Sequence, residues 1–79
     1  MTNPVIAVIG RTVNEAEQYA QRTVKAPYIA LAEHQDHKLW DHDVENFLCV
    51  PTVGDLPPKM IRVLAERIHD TDQHRNYTN

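Results

Sequence analysis

Val5-Ile6-Ala7-Val8-Ile9-Gly10-Arg11-Thr12-Val13-Asn14-Glu15 is the stretch that decides how this chain folds. Its apolar run from Val5 to Ile9 fits a strand covered on both faces, as in a parallel sheet. Gly10 suits the sharp turn that follows, and Thr12 with Glu15 has the spacing of a capping box. The stretch therefore brings backbone N–H groups, the positive end of a helix dipole and Arg11 to the carboxyl end of a central strand. In α/β proteins that is where ligands commonly bind.

Working outward, the helix begun at Val13 continues to about Thr23, with Val13, Ala16, Tyr19 and Ala20 on one side. Ala26-Pro27 ends it, because a residue before proline disfavours helical geometry. Tyr28-Ile29-Ala30-Leu31-Ala32 reads as a second buried strand. A polar stretch then runs from Glu33 to about Asn46, broken by Leu39-Trp40 and Val44. Phe47-Leu48-Cys49-Val50 reads as a third strand, closed by Pro51-Thr52-Val53-Gly54. A last helix begins near Pro57-Pro58, where proline is tolerated in the first turn. Its stripe is Ile61, Leu64, Ala65 and Ile68, widened by Met60 and Val63, and it is expected to end near residue 69.

The order β-α-β-loop-β-α predicts a minimal α/β fold: a three-stranded, mainly parallel sheet in order 2-1-3 with two main helices. Residues 1–70 form a single domain, and the polar residues 71–79 are expected to fray. The helices can cover opposite faces, or the sheet can leave one face to a partner. Both outer strands have open edges in either case.

Composition narrows the function. The chain has 79 residues, and a domain so short has a core that supplies no more than about 3–5 kcal/mol. Burying surface between copies would add to that, so a homo-oligomer is expected, most simply a two-fold dimer. Five carboxylates (Glu33, Asp36, Asp41, Asp43, Glu45) face one lysine, Lys38, in the central segment, giving it −4 of the net −3 and leaving +1 elsewhere. Non-specific nucleic-acid binding needs an excess of Lys and Arg and is not expected. No apolar run reaches the ~20 residues of a membrane span, and Met1-Thr2-Asn3-Pro4 lacks the basic start of a signal peptide. The single Cys49 offers no internal disulfide. A cytoplasmic protein without membrane association is the expectation.

Gly10-Arg11-Thr12, the helix opening Asn14-Glu15-Ala16-Glu17, the apolar second strand and the late strand ending in Pro51-Thr52 together resemble a group of small actinobacteriophage proteins of unknown function. The resemblance covers most of residues 5–68. It implies a phage origin, a trimmed form of a nucleotide-binding α/β domain and action on a host protein. It carries over no catalytic residue.

Two candidate sites follow from the residues themselves. With strand order 2-1-3, the loop at Thr52-Val53-Gly54-Asp55 lies beside Gly10-Arg11-Thr12, so Arg11, Thr12, Thr52 and Gly54 could hold a phosphate or nucleotide. Neither a P-loop nor a dinucleotide fingerprint is present, since the chain has only Gly10 and Gly54. The second candidate is a protein interface formed by Leu39, Trp40, Met60 and Val63, because tryptophan is enriched among binding hot spots; the alternative for Leu39 and Trp40 is that both fold back onto a small core that needs every large residue.

Other chemistry finds little support. His34, His37 and His42 match no zinc spacing, His69 and His74 stand apart near the end, and neither metal nor cofactor is expected. The chain contains no serine, and Cys49 sits in a strand predicted to be buried. The reading is therefore non-enzymatic: an accessory protein that binds a protein partner, with a small phosphate- or nucleotide-binding domain as the alternative.

Overall fold

The structure, a computed structural model, describes residues 4–78, with side chains to Gln73. The opening Met1-Thr2-Asn3, Asn79 and the side chain of His74 lie outside the described residues. Strand β1 (Val5–Gly10) leads into helix α1 (Val13–Thr23). Strand β2 (Tyr28–Ala32), a 3₁₀ turn (Asp36–Leu39), strand β3 (Val44–Cys49) and helix α2 (Pro58–Thr78) follow. The sheet has three parallel strands in the order β2-β1-β3, so the expected α/β architecture is the one found.

Each face of β1 has its own core. Ala7 and Ile9 point to one side, where they pack with Leu31, Leu39, Val44, Met60, Val63 and Leu64 beneath α2. Val8 points to the other and meets Ala16 and Ala20 of α1. The two helices therefore cover opposite faces. Small side chains let α1 lie close, and Gly10 is part of the same fit. A Cβ there would stand 2.8 Å from the Ala16 nitrogen and 3.0 Å from the Thr12 carbonyl oxygen.

The local chemistry of α1 follows the sequence at both ends. Thr12 accepts the Glu15 N–H at 3.2 Å, which satisfies one orphan donor of the first turn. At the other end the Thr23 hydroxyl donates to the Tyr19 carbonyl at 2.6 Å. The Val24 N–H reaches Ala20 at 2.8 Å.

Three details differ from the expectation. Strand β3 starts at Val44, three residues before Phe47, inside the stretch read as a polar loop, and it ends at Cys49. A bulge makes this workable: Val5 pairs with Val44 but Ile6 pairs with Asn46, so Glu45 is the extra residue. Val44 and Phe47 consequently point to the same face, and period-two alternation is lost where a strand would be sought.

Helix α2 is the second difference, running to Thr78 rather than ending near residue 69. No glycine or proline interrupts it after Pro58. Thr71 is buried and donates to the Arg67 carbonyl at 2.9 Å, and Arg67 pairs with Asp70 at 3.1 Å.

The third concerns the face that α2 buries. Met60, Val63, Leu64 and Thr71 turn inward with Ile68 partly covered, whereas Ile61 and Ala65 are exposed. The buried set is therefore rotated from the stripe read in the sequence, because the 3₁₀ turn and β3 approach the helix from the Met60 side.

Candidate functional site

The carboxyl end of the sheet gathers the turn after β1, the first turn of α1 and the loop after β3. Parallel pairing of β1 with β3 carries Thr52 to this end, and its hydroxyl donates to the Glu15 carboxylate. Glu15 thus keeps half of a capping box, its N–H on Thr12, while its side chain reaches across to the neighbouring loop. Thr12 and Thr52 are brought to one place through Glu15. Arg11 is exposed at its rim, and Gly54 is exposed with nothing within 4 Å of a Cβ built on it.

This arrangement is poorly suited to an anion. The position a phosphate would occupy at the helix N-terminus already has a carboxylate beside it, and two negative groups there repel. The dipole of α1 is complemented by Glu15, and the Thr52 hydroxyl is taken. The crevice works as a tie between α1 and the β3–α2 loop.

Cys49 is half-buried, and that burial pushes its thiol pKa up from 9.0, away from the reactive thiolate. Among the described residues no three His, Cys, Asp or Glu side chains are grouped to hold a metal ion.

The second candidate set divides. Leu39 and Met60 are 0% exposed and Val63 is 3%. All three are packed inside the chain's own core, so they are withdrawn as interface residues. The reason is the size of the domain: with so few large apolar residues, the core takes those nearest its centre.

Trp40, directly after the 3₁₀ turn, is 51% exposed. Its backbone N–H donates to the His37 carbonyl at 3.4 Å, and its carbonyl accepts from Arg67 Nη1 at 3.4 Å. The Arg67 guanidinium carbon sits 6.0 Å from the centre of the indole, within cation–π range. Arg67 Nη2 donates to the Asp70 carboxylate at 3.1 Å, and the buried Nε has no hydrogen-bond partner. The indole is thus presented on the surface by a residue anchored in α2.

Four further large apolar side chains are exposed, among them Val13, which the helical pattern of α1 places with Ala16 and Ala20 on the packed side. Phe47 and Leu48 are each 39% exposed and Ile61 is 53% exposed. Phe47 pairs with Ala7 and so faces α2, while Leu48 pairs with Val8 and faces the side of α1, which packs on β1 and β2 and leaves β3 open. Polar Glu45-Asn46 just before them was the available signal, since charged and amide residues are typical of an edge.

No helix among the described residues is long and apolar enough to cross a membrane. Comparison of the chain with protein-family models, curated proteins and solved structures found no match.

Proposed function

We propose that this chain is a non-enzymatic accessory protein that acts by binding another protein, with Trp40 as the anchor and the acidic residues around it as the rim. The observation that carries this reading is the half-exposed indole held in place by Arg67. An aromatic side chain with two rotatable bonds gives up little conformational entropy on binding, and Trp and Arg are among the residue types enriched in hot spots. Asp41 and Glu45 are exposed on the same segment. The matching surface is a pocket for an indole bordered by Lys or Arg, and opposite charge steers its approach.

The resemblance to small actinobacteriophage proteins makes a host protein the partner of choice and the host cytoplasm the place of action. The phosphate-binding alternative is weaker because Glu15 stands where the anion would go.

Affinity capture from a host lysate with wild-type and Trp40→Ala bait tests the proposal. The wild type should retain a protein that the variant loses while both circular dichroism spectra agree. Equal recovery on both baits would contradict it.

A further inference from the structure

Trp40 closes the 3₁₀ turn with a helical backbone, φ −63° and ψ −28°. The turn before it is bound at several points. Lys59 of α2 reaches Asp36 at its start at 3.9 Å, and Leu39 is buried in the core. The Trp40 N–H goes to the His37 carbonyl, and the His42 N–H goes to the Leu39 carbonyl at 3.1 Å. The backbone of Trp40 is therefore fixed, and two side-chain torsions decide where the indole stands. Among the described residues, the cationic group against that ring is Arg67.

Arg67 meets Trp40 twice, at its carbonyl oxygen through Nη1 and at its ring. Its Nη2 is engaged by Asp70, three residues further along α2. A guanidinium is rigid and planar, so contacts at both terminal nitrogens also decide where the third one points. That third nitrogen, Nε, is buried and has no acceptor. Such donors are rare in folded proteins, because water is given up on burial and nothing replaces it. The whole Arg67 side chain is only 17% exposed, so its charge is also largely withdrawn from solvent. The fold therefore gains little from an arginine here. Methionine would fill the place of the stem with no donor to satisfy. What the guanidinium adds is its contact with Trp40.

We propose that Arg67 is a positioning residue for recognition, retained at a cost to stability and turned by Asp70 so that it fixes the rotamer of Trp40. This rests on Trp40 as the residue that contacts a partner, and it supplies the group that prepares it. With the guanidinium against the ring, the indole keeps one orientation. The torsional freedom that a loose side chain would lose on binding is then already lost in the folded chain. Asp70 acts one step further back. Its carboxylate engages Nη2, which leaves Nη1 for Trp40 and directs Nε to the interior. Neither Arg67 nor Asp70 has to touch the partner for its loss to weaken binding.

Time-resolved fluorescence anisotropy of Trp40, together with urea unfolding, tests this on the whole chain as wild type, Arg67→Met, Arg67→Lys and Asp70→Asn. In the wild type the indole should turn with the molecule as a whole. In Arg67→Met a fast component from rotamer hopping should appear, while the urea midpoint stays at or above that of the wild type. Arg67→Lys should loosen the indole as well, because an ammonium cannot meet the ring, the carbonyl and Asp70 together. Asp70→Asn should loosen it to a smaller extent. Affinity of Arg67→Met for the host protein that the wild-type bait retains should fall about 2–10-fold, the cost of ordering one side chain.

An indole as immobile in Arg67→Met as in the wild type would overturn the proposal. So would a lowered urea midpoint in that variant, which would make Arg67 a residue of the fold, or unchanged affinity once the indole is loose. Equal anisotropy decays in Asp70→Asn and wild type would remove Asp70 from the arrangement. If the wild-type bait retains no protein, Trp40 fails as the recognition residue. The anisotropy and urea results still decide in that case whether Arg67 sets the indole at the expense of the fold.

Discussion

The two glycines of this chain should respond in opposite directions to the same substitution. Neither has a positive φ, so alanine is conformationally acceptable at both positions. Loss of freedom in the unfolded chain alone would stabilise each variant by roughly 0.4–1 kcal/mol. Gly54→Ala should behave that way, since nothing lies within 4 Å of the added methyl group. At Gly10 the methyl group would meet three backbone atoms of α1 and its cap: the Ala16 nitrogen at 2.8 Å, the Thr12 oxygen at 3.0 Å and the Ala16 Cα at 3.2 Å.

Backbone cannot rotate aside as a side chain can. Helix α1 must move off β1, or the turn must open. Overpacking of this kind costs typically about 1–3 kcal/mol, well above the entropic gain. In a domain of this size ~1 kcal/mol moves the melting temperature by about 4–8 °C. Thermal denaturation followed by circular dichroism should therefore place Gly10→Ala about 5–15 °C below the wild type, with Gly54→Ala at or slightly above it. A Gly10→Ala melting temperature equal to or higher than that of Gly54→Ala would refute the close approach of α1 and β1.

Neighbouring residues at the end of the 3₁₀ turn should separate core from surface. Leu39→Ala should cost about 2–5 kcal/mol, enough to unfold much of the protein, whereas Trp40→Ala should leave the urea midpoint nearly unchanged. Cys49 should be alkylated more slowly in the folded chain than in urea at neutral pH, because burial favours its protonated form. The folded pKa lies above the usual 9.0, so the Cys49 contribution is fully present below that pH and is lost as pH rises through the higher folded value. Cys49→Ala should flatten that alkaline decline in a urea titration. Thr52→Val should release Glu15 from the β3–α2 loop and lower stability by about 0.5–1.5 kcal/mol, read as a shift in urea midpoint.

The central architecture was legible because several local signals agreed. A doubly apolar Val5–Ile9, a Thr12 cap and Pro27 as a stop all specify β1, α1 and the step to β2, and the parallel crossover follows from them. Legibility failed where tertiary contacts overrode local pattern. Val44 belongs to β3 although Glu45 and Asn46 separate it from the apolar run, since the bulge resets the face on which later side chains fall. On α2, the choice between Ile61 and Met60 as an inward position depends on where the turn Asp36–Leu39 sits, and the helical period alone leaves that rotation free.

The candidate sites were legible in position more than in role. Thr12 and Thr52 do meet at the carboxyl end of the sheet, yet the partner between them is Glu15, whose capping spacing gave no hint of a reach across to another loop. Leu39 and Trp40 looked equivalent as adjacent large residues in an acidic stretch. The 3₁₀ turn separates them, sending Leu39 inward to Leu31 and leaving Trp40 against Arg67. The exposure of Leu48 follows from α1, which packs on β1 and β2 and leaves its face of β3 open, and that of Phe47 from its place on the outermost strand.

Trp40 is the sole tryptophan of the chain, so its burial on binding can be followed directly. The protein labelled with fluorotryptophan can be titrated with the captured partner while the single fluorine resonance is followed. Burial of the indole at an interface predicts a shifted resonance and loss of its solvent-isotope effect at saturation. Trp40→Ala should bind at least about 30-fold more weakly, equivalent to ~2 kcal/mol. A resonance that keeps its position and its solvent exposure in the saturated complex would contradict Trp40 as the recognition residue.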